Sequence, residues 1–61
     1  MLEQRIEELI FENKTVSFKV VDNVILCNIF DRDSGMYGYG RSKTKAVDAL
    51  EDALHKMRNA Q

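Results

Sequence analysis

The stretch TVSFKVVDNVILCNIF, residues 15–30, leaves this chain few ways to fold. Two runs rich in β-branched and aromatic residues are separated by only Asp22 and Asn23, a pair that tolerates the left-handed backbone a two-residue type I′ turn requires. If these two residues are the turn, the pairing follows. Val21 faces Val24, Val20 faces Ile25, Phe18 faces Cys27 and Val16 faces Ile29, while Ser17 meets Asn28 on the other side. Every inward residue then meets an apolar partner, so register and polarity agree. A hairpin over 15–21 and 24–30 is the anchor of the fold.

The rest of the chain is arranged around it. Residues 2–12, LEQRIEELIFE, carry Leu2, Ile6, Leu9 and Ile10 on one helical stripe, with Glu3, Gln4, Glu7, Glu8 and Glu12 elsewhere. DRDSG, 31–35, reads as a turn in which Gly35 supplies a positive φ. MYGY, 36–39, predicts a short third strand, an edge or partly irregular one because of its glycines. Ser42 is a good N-cap for a second helix over 43–58. Its inward stripe is Ala46, Ala49, Leu50, Ala53, Leu54 and Met57. The expected fold is α+β in the order α-β-β-β-α, a three-stranded antiparallel sheet with two helices packed on one face.

At 61 residues the chain makes one domain, 1–61. A domain of this size buries only about 60% of the surface its unfolded chain exposes. With one cysteine it has no internal disulfide, and no Cys/His spacing suggests zinc. Compact packing, self-association or a partner must supply stability. The inward sheet face would bury Val16, Phe18, Val20, Ile25, Cys27 and Ile29. The other face would expose Val21, Val24, Leu26 and Phe30, which read either as scattered surface apolars or, being four neighbours on one hairpin face, as a homodimer or protein-partner interface.

A second feature points outward. GYGRSKTKAVDAL, 38–50, places Arg41, Lys43 and Lys45 where the second helix begins, although cations are mildly unfavourable at that end. Residues 38–54, GYGRSKTKAVDALEDAL, resemble the C-terminal part of the double-stranded RNA-binding domain family. Gly38, Gly40, Ser42, Lys43, Ala46 and Ala49 match its pattern of a third strand running into a basic helix. The element order matches as well. The resemblance implies that Arg41, Ser42, Lys43 and Lys45 meet phosphates, with ammonium groups and helix N–H groups facing the same anion.

The family's second and third lysines are replaced here by Thr44 and Val47. Its long loop between the first two strands is reduced to Asp22-Asn23, and its first helix is acidic here. Binding of duplex RNA or DNA through the remaining region is accordingly expected to be weak. A looser similarity, to HicB-like antitoxins, implies a protein partner instead.

Chemistry-bearing residues are sparse. His55 has no nucleophile placed beside it, and Cys27 in an apolar strand reads as a core thiol. DRDSG lacks the glycine offset and closing acid of a calcium loop. Tyr37 and Tyr39 have the chemistry to stack on bases, and core or edge packing is the more common use of such residues. No cofactor, small-molecule substrate or catalytic site is expected.

The net charge of −1 offers no whole-surface attraction to nucleic acid. No apolar run approaches the roughly 20 residues of a membrane span, and MLEQRIEELI lacks signal-peptide character, so a cytoplasmic location is expected. Two functions stand side by side. One is a small non-enzymatic regulator or adaptor working by protein contact, such as a phage-type inhibitor, with Val24, Leu26 and Phe30 at the interface. The other is nucleic-acid binding through the basic cluster.

Overall fold

The computed structural model describes residues 2–59. The elements are α1 (Leu2–Phe11), β1 (Lys14–Val21), β2 (Val24–Asp31), β3 (Met36–Ser42) and α2 (Ala46–Asn59). The strands form one antiparallel sheet in the order β1-β2-β3. Both helices pack on the same face, so the α-β-β-β-α architecture holds.

The hairpin has the register its sequence dictates. Val21 pairs with Val24, Phe18 with Cys27 and Val16 with Ile29, and the ladder continues without a break to Lys14 and Asp31. Asp22 and Asn23 have φ of 51° and 64°, the two positive values that a type I′ turn demands. Asn13, at φ 65°, ends α1 in the left-handed conformation that closes many helices. The turn after β2 is tied down by several hydrogen bonds. Asp31 Oδ1 accepts from Asp33 N at 3.0 Å, Gly35 N donates to Asp31 O, and Asn13 Nδ2 donates to Asp33 Oδ1 at 2.8 Å.

The third strand is where structure and sequence expectation part. β3 is an edge strand, as one of the two readings had it, but it is regular and seven residues long, reaching Ser42 rather than ending at Tyr39. Its glycines serve packing. A Cβ on Gly40 would collide with Ala49 O and Ala53 N, and one on Gly38 would lie 2.6 Å from Ala53 O. Helix α2 therefore rests directly on the β3 backbone, with Ala49 and Ala53 against the two glycines. That seam lets Ala49, Leu50, Ala53, Leu54 and Met57 all become buried, together with Cys27, Ile29 and Leu9.

Helix α2 starts at Ala46, three residues later than predicted, because Ser42 is held as the last residue of β3 opposite Ile25. Ser42 Oγ still accepts from the N–H groups of Thr44 (3.1 Å) and Lys45 (3.3 Å), but it shapes the connection and does not cap the helix. The first helical hydrogen bond in this region runs from Ala49 N to Lys45 O.

Helix α1 is held more loosely. Of its stripe only Leu9 is buried. Leu2 and Ile6 are half-buried, and Ile10 is 55% exposed. Its link to α2 is a two-pronged ion pair in which Arg5 Nε donates to Glu51 Oε1 at 2.9 Å and Arg5 Nη2 to Glu51 Oε2 at 3.3 Å. Phe18 and Val20, expected in the core, point to the helix side but are exposed, Val20 by 68%. The physical reason is coverage. Helix α2 lies on β3 and β2 and α1 lies on β1, and neither covers Phe18 and Val20.

Candidate binding face

The sheet face away from the helices is open to solvent. Strand register assigns it Thr15, Ser17, Lys19 and Val21 from β1, Val24, Leu26, Asn28 and Phe30 from β2, and Tyr37, Tyr39 and Arg41 from β3. Strand alternation explains the composition of β3. With Gly38 and Gly40 turned to α2, Tyr37 and Tyr39 must turn outward. They are 51% and 61% exposed, so neither is a core residue.

The tyrosines and Phe30 form a ladder. Phe30 and Tyr37 occupy paired positions with ring centroids 4.6 Å apart, and Tyr37 stacks on Tyr39 at 5.9 Å and 8° between planes. Both separations lie in the range where aromatic pairs attract beyond simple burial.

The predicted interface residues Val24, Leu26 and Phe30 sit on this face, half-buried on the central strand. The predicted basic residues come to the same place. Val24, Arg41, Ser42 and Lys43 line one shallow depression, and Leu26, Tyr39 and Arg41 line the next. Lys45 stands apart, immediately before α2. The two sets that the sequence presented as alternatives thus meet where Arg41 and Lys43 adjoin Val24, while Ser42 pairs with Ile25 on the helix side and Lys45 is not part of the meeting point.

The face is charged in one sense only. Among its described strand positions stand Lys19 and Arg41 and no carboxylate, although the whole chain carries −1. The acids are elsewhere: four on the segment from Glu3 to Glu12, the others in turns, on the helix-side position Asp31, or on α2. None of Lys19, Arg41, Lys43 and Lys45 is ion-paired among the described residues.

Asn28, at the middle of the central strand, adds a polar irregularity. Its Oδ1 is covered yet has no hydrogen-bond partner. A covered acceptor without a donor costs roughly 1–3 kcal/mol.

The amino end of α2 has a different character. Asp48 places a carboxylate in its first turn, where the helix dipole favours an anion, and the Thr44 hydroxyl donates to that carboxylate at 3.3 Å. Asp52 accepts the backbone N–H of Arg41 at 3.1 Å and pairs with Lys56 at 3.1 Å. Those bonds hold the Asp52 carboxyl below its usual range, the Arg41 N–H being the larger cause. The helix end already has its own anion.

Elsewhere the chemistry is quiet. Cys27 is buried at the sheet centre, and burial pushes its thiol up to about 11, away from the thiolate a nucleophile needs. Among the described residues no cluster of three or more His, Cys, Asp or Glu is placed to hold a metal ion, and no helix is long and apolar enough to cross a membrane. Comparison with family models, curated proteins and solved structures finds no match to this chain.

The exposed aromatic ladder was missed at the sequence level. Its signal was the alternation Tyr-Gly-Tyr-Gly in 37–40, which in a strand puts all aromatics on one face and all glycines on the other.

Proposed function

We propose that this chain is a small non-catalytic binding module that works by docking its open sheet face on a protein partner. The observation that carries the reading is one continuous surface of Tyr37, Tyr39, Phe30, Leu26, Val24 and Arg41 without a carboxylate. Tyr, Phe and Arg are the residues enriched at the centres of protein interfaces, and Asp and Glu are depleted there. The matching partner surface has an apolar centre for the aromatic ladder and acidic groups at the rim for Lys19, Arg41 and Lys43. A module of this size without catalytic groups acts by occluding or tethering, which supports an adaptor or inhibitor role.

The stacked Tyr37 and Tyr39 beside unpaired cations favour a second reading, in which bases of single-stranded nucleic acid stack on the ladder and phosphates meet Lys19 and Arg41. This second site differs from the phosphate seat that the family resemblance implies at the start of α2.

One experiment separates the readings. A photo-crosslinking phenylalanine analogue replaces Tyr39 in one variant and Glu7, on the helix side, in another, and each is irradiated in native extract with and without nuclease. The protein reading expects a discrete crosslinked protein at Tyr39 that survives nuclease and is missing at Glu7. Crosslinks at Tyr39 to nucleic acid alone select the second reading. Identical patterns at Tyr39 and Glu7 reject the open face as the working surface.

A further inference from the structure

We infer that the chain forms a twofold dimer by pairing β1 with β1 of a second copy, joining two three-stranded sheets into one of six strands. The two borders of the sheet are not alike. At β3 the outward N–H of Arg41 is taken by Asp52 of α2. At β1, among the described residues, β2 is the single neighbour, and the backbone groups that do not serve β2 point outward along the border.

Natural edge strands are blunted by shortness, proline, bulges, covering elements or charged side chains, lysine above all; β1 carries Lys14 and Lys19, and these block only a pairing that brings like charges together. β1 is eight residues long with an unbroken register, and the chain contains no proline. It is therefore a ready template for another strand.

The side chains beside this border are apolar where a partner would meet them. Phe18 and Val20 are exposed on the helix side of β1. On α1, Arg5, Glu8 and Glu12 line the groove shared with Leu54, Met57 and Arg58 of α2. Helical geometry puts Ile6 and Ile10 on the opposite flank, toward the β1 border. Ile10, Phe18 and Val20 thus make an uncovered apolar margin along an unpaired strand.

A dimer through the open faces lacks this match, because it buries together two surfaces that carry Lys19 and Arg41 and, among their described strand positions, no carboxylate.

Side-chain pairing selects the register. With the twofold axis at Phe18, each Val20 lies opposite Val16 of the other copy, each Lys19 opposite Ser17, each Thr15 opposite Val21, and Lys14 comes up to Asp22. Moving the axis to Lys19 opposes two lysines, and moving it to Ser17 sets Val20 against Lys14. An axis perpendicular to the sheet also leaves both open faces on the same side. The dimer then presents two copies of the binding face side by side, a geometry that multiplies affinity for any partner with repeated sites.

The test is sedimentation of the full chain over a wide concentration range. The wild type is expected at twice its 7.1 kDa mass. Val20→Lys, at an exposed position, is expected to raise the dissociation constant at least about tenfold, whereas Tyr39→Ser on the open face leaves it unchanged. Phe18→Cys is expected to form an interchain disulfide on mild oxidation, and Ser17→Cys to form far less. A wild type monomeric at every concentration overturns the inference. So does a dimer that resists Val20→Lys or is lost with Tyr39→Ser.

Discussion

The two helices of this domain pack on one sheet in opposite styles. Helix α2 lies on glycines and contributes alanines, so backbone meets backbone and five of its side chains are buried. Helix α1 lies on a strand bearing Val16, Phe18 and Val20, contributes one buried side chain, and is fastened to α2 by an exposed ion pair. The difference teaches that small residues decide how closely a helix settles and so how much sheet it covers. Where α2 settles closely, its Asp52 takes the outward N–H of Arg41 at the border of the sheet. Beside α1 the border is left bare.

The contrast breaks most sharply at its tightest point. Gly40→Ala inserts a methyl group into the backbone of α2, so the helix must lift, and the fold is expected to lose more than about 4 kcal/mol or fail to form. Thermal unfolding measures this. Leu50→Ala, in the same tightly packed region, should cost about 2–3 kcal/mol by denaturant titration, against less than about 1 for Ile6→Ala on α1. Equal losses at Leu50 and Ile6 would erase the distinction between the two sides.

Smaller effects sharpen it. The hydrogen bond and charge of Arg5 hold the Glu51 carboxyl below its usual range. Such a depressed group adds stability that is fully present above the ordinary carboxylate range and is lost as pH falls through the lower folded value. Arg5→Gln should therefore flatten part of the acid limb of the stability profile. Because the pair is exposed, the change at neutral pH is expected to be under about 1 kcal/mol and to shrink with salt. Last, Val20→Lys should leave the folding free energy of the monomer within about 0.5 kcal/mol, since the residue is already exposed.

How much the sequence revealed depended on whether a signal was local. The Asp22-Asn23 turn and the alternation on either side specify the hairpin pair by pair, and both turn residues do adopt positive φ. The inward stripe of α2 was equally readable from its period. The glycines were not, because Gly38 and Gly40 read locally as breaks and acquire their role only when Ala49 and Ala53 come to rest on them.

Ser42 has the chemistry of a cap, and only its pairing with Ile25 across the sheet keeps it in β3. Phe18 and Val20 have the correct parity for the core. Their exposure follows from how far the helices extend, which no strand pattern encodes. For the candidate site, Val24, Leu26, Phe30 and the basic residues were each visible. The meeting of Val24, Leu26 and Phe30 with Arg41 on one face required knowing that β3 runs past Tyr39 to Ser42.

Native-state hydrogen exchange tests the central contrast most directly, because it reads each element's stability in one sample. The packing described here predicts that amides of β2, β3 and the middle of α2 exchange only through global unfolding. Amides of α1 exchange by local opening at lower free energy. Equal protection of α1 and α2, both at the global limit, would contradict it.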